Sequence, residues 1–153
     1  PRGNGQPIAG IAVRGEVVAE FGRTSRYFNT FGGNAVSCAA ALAVLDAIEG
    51  EGLQANAAAM GARLVSALER LAERHAAITA VRGAGLMIGV AIAGADATAR
   101  VVNGMREAGV LISSCGREHN VLKIRPPLTV GAAEIDLVAD TLGQVLETLE
   151  GQA

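Results

Sequence analysis

The clearest pattern along the chain is helical. Leu53, Ala57, Met60, Leu64, Leu68 and Leu71 recur at steps of three and four, while Arg63, Glu69, Arg70, Glu73 and Arg74 fall on the other side. This spacing predicts an amphipathic helix running to about residue 75. Ile135, Val138, Leu142, Val145, Leu146 and Leu149 share one face of a last helix over 131–149. The stretch 35–48 is apolar on every side, as a fully buried helix would be, and Gly50 and Gly52 separate it from the next helix. Asp96 is expected to cap a helix that reaches about Ala108, where Gly109 ends it.

Strand signals fill the gaps. Ile8, Ile11, Val13 and Val17-Val18 alternate imperfectly around Gly15-Glu16, which predicts a hairpin or two short strands followed by polar loop over 22–29. Ile78–Val81 reads as a short strand and Arg82-Gly83-Ala84-Gly85 as a turn. Leu86–Ile92 has so little polar content that burial on both faces is expected. Val110–Ile112 and Val121–Arg125 are further strands, separated by polar loop over 113–120, and Pro126-Pro127 stops the second. From residue 76 the order β-β-α-β-β-α predicts a small α/β sandwich with helices packed on a mostly antiparallel sheet.

Composition narrows the function classes. Half of the 153 residues are hydrophobic and 18% are charged, so the chain should fold around a real core. A net charge of −2 with no basic run gives nucleic acid no electrostatic footprint. No apolar run is long enough to cross a bilayer. Cys38, Cys115, His75 and His119 lack metal-ligand spacing, so no metal is expected, and the default setting is a reduced, cytoplasmic one. The chain opens on Pro1 and the loop Gly3-Asn4-Gly5-Gln6-Pro7, which reads as the continuation of something upstream; a fragment is expected.

Two stretches carry candidate chemistry. In Tyr27-Phe28-Asn29-Thr30-Phe31-Gly32-Gly33-Asn34, a hydroxyl and two glycines precede a helix start, a combination suited to an anion. The alternative is an ordinary glycine turn with Thr30 near the N-cap. Lys123, the only lysine, and Arg125 lie two residues apart on one strand and so share a face. Either they bind a carboxylate or phosphate, or they guard an edge strand against aggregation. Arg82 is read as a loop anchor, Cys38 as a small core residue and His75 as a helix-end charge; nothing places the loop-borne His119.

Four stretches, in order, resemble class III pyridoxal-phosphate (PLP) aminotransferases. They are Pro1–Pro7, Phe28–Asn34, Val81-Arg-Gly-Ala-Gly-Leu-Met87 and Asn120-Val-Leu-Lys-Ile-Arg-Pro-Pro-Leu128. Within that family, Tyr27–Asn34 and Asn120–Leu128 look most like the alanine–glyoxylate aminotransferase 2 branch, which includes phosphoethanolamine phospho-lyases. The resemblance implies the end of a fold-type-I PLP-binding large domain with linker helices over 1–75 and a C-terminal small domain over 76–153. It implies that Thr30, with Phe31 and Gly32, binds the PLP phosphate of a partner subunit across a homodimer interface, presented by a turn through Gly33 and Asn34. Lys123 falls where many members carry an arginine for the substrate carboxylate. That departure loses the planar two-pronged contact, and Arg125 is the second candidate for the task. Ala35 stands where the family usually has proline. The family's Schiff-base lysine would immediately precede Pro1, so the chain alone should be inactive. The activity implied for the intact protein is amino transfer from an amine or amino acid to a keto acid. A phospho-lyase acting on a phosphorylated amine and a non-catalytic dimerisation module are the alternatives.

Overall fold

Leu64, Leu68 and Leu71 do fall on one helical face, and that face is the centre of the core: Leu64 and Leu68 are fully buried. The computed structural model describes residues 4–151, and the chain forms two compact units that divide between Gly52 and Leu53.

The first unit holds helices α1 (Gly15–Thr24) and α2 (Ala35–Gly50). The hairpin expected over Ile8–Phe21 does not form: residues 7–14 have no regular structure and α1 follows. Helical spacing wins there, with Val17 and Phe21 four apart, Val18 and Phe21 three apart, and Glu20 bound to Arg23 at 2.6 Å. Helix α2 lies where its apolar run predicted. The full burial expected of it is not found, since Ser37 is its only buried residue and Val36, Leu42 and Leu45 are exposed. A unit with two helices has too few elements to enclose an all-apolar one.

The second unit is an α/β layer structure. It contains α3 (Leu53–Ala72), β1 (Ile78–Ala84), β2 (Met87–Ile92), α4 (Ala95–Glu107), β3 (Ser113–Cys115), β4 (Val121–Ile124) and α5 (Ala132–Glu150). The four strands form one antiparallel sheet in the order β1-β2-β4-β3. Helices α3 and α4 pack on the sheet, and α5 packs on both. Buried Ile88, Val90, Ile92, Leu122 and Ile124 point into this layer. Their alternates point away from it, so β2 is buried on one face, not on both as its composition suggested. Met87 and Ala91 suffice to make that composition look apolar without being core.

Other boundaries shift for local reasons. The β1–β2 turn is Gly85-Leu86, with Gly85 at φ +51°, so Arg82 belongs to β1 and not to a turn. Residues 110–112 form no strand; the polar Ser113–Cys115 does, by pairing with β4. Gly94, at φ +101°, caps α4 in place of Asp96, which lies in the first turn. Glu134 accepts a hydrogen bond from the Gly131 N–H at 3.1 Å and so fixes the start of α5. Among the described residues, no helix is long and apolar enough to cross a membrane.

Candidate functional site

In the first unit the turn before α2 is held by two asparagines. Asn29 Oδ1 accepts from the N–H groups of Phe31 (3.1 Å) and Gly32 (2.9 Å). Asn34 caps α2: its Oδ1 accepts from the Ser37 N–H at 2.9 Å, and its Nδ2 donates to the Phe31 carbonyl at 2.8 Å. Gln6 Nε2 donates to Ser37 Oγ at 2.8 Å and ties the opening loop to the same helix start. Gly33 sits at φ +70°, which a side chain would strain. The cap therefore belongs to Asn34, not Thr30, and Asn-x-x-Ser was the sequence signal for it. The Thr30 hydroxyl takes no part in these bonds. Of the three residues expected to meet a cofactor, Phe31 and Gly32 spend their amides on Asn29, and the Thr30 hydroxyl has no hydrogen-bond partner among the described residues.

In the second unit, register decides which residues gather. Lys123 is paired with Gly89 on one side and Ser113 on the other, so β4 is an interior strand. This overturns the edge-strand reading of Lys123 and Arg125. A half-buried Lys123 projects from the face opposite the buried Leu122 and Ile124. Arg125 follows the end of β4 and is exposed.

Helix α3 braces both ends of this surface. Asn56 Nδ2 donates to the carbonyls of Leu128 (2.7 Å) and Val130 (3.0 Å), pinning the loop that follows Pro126-Pro127. At Gly61 the helix approaches the β1–β2 turn so closely that a Cβ there would lie 2.2 Å from the Gly85 oxygen. Arg63 makes a two-pronged contact with Asp136 on α5, at 2.8 and 2.6 Å. Those hydrogen bonds, ahead of simple charge attraction, hold the Asp136 carboxyl below its usual range.

The remaining flagged residues lie apart from this surface. His75 lies just past the end of α3, as its spacing suggested, and is buried; its Nδ1 meets Glu150 Oε2 at 3.0 Å. His119 sits in an exposed loop at φ +50°. Cys38 and Cys115 are both free and partly buried.

Comparison with known proteins accounts for the pattern. The family model for class III aminotransferases matches residues 2–146. The chain is 42% identical over 148 residues to alanine–glyoxylate aminotransferase 2 homolog 2, mitochondrial, of Arabidopsis thaliana, covering 92% of this chain and 31% of that protein. It is similar to a phospholyase from Arthrobacter, solved in complex with phosphoethanolamine, with a TM-score of 0.90 and 41% identity over 96% of this chain and 37% of the other. It is also similar to a PLP-bound amine transaminase from an uncultivated Pseudomonas species, with a TM-score of 0.74 and 34% identity over 84% of this chain and 31% of the other. The chain spans about a third of the length of the curated relatives it matches. The mixed α/β fold with its antiparallel sheet is thus shared with PLP-dependent enzymes of fold type I. This chain belongs to the PLP-dependent class III aminotransferase family.

Proposed function

We propose that the chain is the C-terminal part of a PLP-dependent aminotransferase that moves an amino group from an amine or amino acid to a keto acid. The observation that carries the proposal is the match to the class III family along nearly the whole chain. In this reading, residues 1–75 end the PLP-binding large domain with its linker helices, and 76–153 form the small domain. Helix α3, the linker helix in this reading, packs with the sheet in the second unit. The compartment proposed is the reducing cytoplasm, in keeping with two free cysteines.

The residues present fit one part of the cofactor. The Thr30 hydroxyl, free of the bonds that hold its own turn, can donate to a phosphate oxygen. Gly33 and the Asn34 cap fix the backbone that carries it. When bound, PLP supplies an electron sink for the carbon that bears the substrate's amine. Lys123 is assigned to the substrate's anionic group, with Arg125 at the end of the same strand. Lys123 is the only lysine, and its place on an interior strand beside Gly89 suits binding better than edge protection. The lysine that moves the proton is assigned to the protein upstream of Pro1. A homodimer is proposed with it: the exposed Val36, Leu42 and Leu45 of α2, and the exposed Phe28 and Phe31 beside Thr30, supply the apolar area that a partner would cover.

A specific observation favours a second reading, lysis of a phosphorylated amine. By the family resemblance Lys123 falls where an arginine would grip a planar carboxylate, and an ammonium can still bind a tetrahedral phosphate as a point charge. The test is a product assay on the PLP-loaded enzyme containing these residues. Amino transfer to a keto acid supports the first reading, and inorganic phosphate released from phosphoethanolamine without a keto acid supports the second. Neither product across a panel of amines and amino acids would overturn both.

A further inference from the structure

Polar contacts, not an apolar core, hold the first unit together. Ser37 is the only buried residue among those described there, while Val17, Phe21, Phe31, Val36 and Leu42 are exposed. Helices α1 and α2 do not pack on each other. The buried Ser37 hydroxyl is a node: its oxygen accepts from Gln6 Nε2 at 2.8 Å and from Asn34 Nδ2 at 3.1 Å. Asn34 Nδ2 gives its other hydrogen to the Phe31 carbonyl at 2.8 Å, and Asn34 Oδ1 takes the Ser37 N–H at 2.9 Å. Both hydrogens of that amide are therefore used, which fixes its orientation. The line from Gln6 through Ser37 and Asn34 ends on Phe31, the residue next to Thr30.

Gln6 and Ser37 are 31 positions apart. Among the described residues, every other side-chain hydrogen bond of the first unit spans four positions or fewer. The bonds from Asn29 to Phe31 and Gly32 set the shape of the turn that carries Thr30, and the Gln6 bond ties that turn to a distant stretch of chain. On that stretch Asn4 and Gly5 both adopt positive φ, 46° and 112°, so Gln6 leaves a tight Asn-Gly turn.

Resting on the reading that the Thr30 hydroxyl holds the PLP phosphate, we infer that Gln6 is a positioning residue for that contact, acting through Ser37 and Asn34. A hydroxyl donating to a phosphate oxygen needs a separation of about 2.7 Å, so a displacement of the turn by roughly 1 Å loses the bond. Without the Gln6 donor, the opening loop and the turn lose the side-chain bond that joins them.

The test is equilibrium binding of PLP, and of pyridoxal, which lacks the phosphate, to the apoenzyme containing these residues, read by ligand absorbance. Gln6→Met keeps the length of the side chain and removes its donor. It is expected to weaken PLP binding on the order of fivefold and to leave pyridoxal binding unchanged, which also shows that the variant is folded. The double variant with Ser37→Ala should be no weaker than Ser37→Ala alone, because the Ser37 hydroxyl is the partner of Gln6. Thr30→Ala should weaken PLP at least as much as Gln6→Met, and adding Gln6→Met to it should cost nothing further. Equal losses of PLP and pyridoxal in Gln6→Met would make the bond a purely structural one and overturn the inference, as would full additivity with Ser37→Ala or with Thr30→Ala. Unchanged PLP affinity in Gln6→Met beside a weakened one in Thr30→Ala would overturn it too and leave the role of Thr30 standing. An effect of Thr30→Ala on PLP no larger than on pyridoxal would overturn that role itself.

Discussion

Replacing Gly61 by alanine sets two effects against each other. Alanine in a helix interior is favoured over glycine by about 1 kcal/mol. Against that, the new methyl would lie 2.2 Å from the Gly85 oxygen, 2.5 Å from its carbonyl carbon and 2.8 Å from its Cα. A carbon–oxygen contact needs about 3.3 Å, so α3 and the β1–β2 turn must part by roughly 1 Å. Both sides are backbone, so no rotamer change relieves the clash. Overpacking costs about 1–3 kcal/mol, and a backbone-on-backbone clash of this size belongs at the upper end. The net expectation is a loss of about 2 kcal/mol, or roughly 8–16 °C in Tm for a unit of this size. Thermal and urea unfolding followed by far-UV circular dichroism measures it. Gly50→Ala is the control, because a Cβ there meets nothing within 4 Å. A Gly61→Ala protein as stable as the control would refute the close approach of α3 to the turn, and with it the bracing of the strand that carries Arg82.

Two further outcomes are expected. Thr30→Ala in the intact enzyme should weaken PLP retention by a contact worth about 1–3 kcal/mol, and Thr30→Ser should restore it; dialysis followed by cofactor absorbance reads both. The contact between Arg63 and Asp136 sets part of the acid limb of stability. Hydrogen bonds from Arg63 lower the Asp136 pKa in the folded state, so this contribution is fully present above the ordinary aspartate value of about 3.9. It is lost as pH falls through the lower folded value. Asp136→Asn should flatten the fall in Tm over that acid window and leave its pH dependence near neutrality unchanged. An unaltered acid limb would show that the pair is not coupled to folding.

Long, strongly periodic segments were legible in the sequence. Helices α3 and α5 and the division of α2 from α3 at Gly50 and Gly52 follow from spacing and glycine alone, because burial of one helical face imposes them. Helix α1 was misread because Val17-Val18 is β-prone in isolation, while the Val17–Phe21 and Glu20–Arg23 spacings that decide the matter are weak signals in a ten-residue helix. Strand β3 was missed because Ser113-Ser114-Cys115 has no strand propensity of its own and exists by pairing with β4. The turn around Thr30 was legible as a glycine turn, but its cap on Asn34 was not distinguished from one on Thr30. The interior place of β4 could not be read at all: it depends on which strands are neighbours, and the order β1-β2-β4-β3 puts the last strand of the chain inside and makes Lys123 an interior residue.

The most direct measurement concerns which lysine carries the cofactor. The PLP-loaded enzyme containing these 153 residues is reduced with borohydride, digested and mapped by mass spectrometry. The expected result is a phosphopyridoxyl label on a lysine outside residues 1–153, with the peptide bearing Lys123 unmodified. A stoichiometric label on Lys123 would contradict its assignment to substrate.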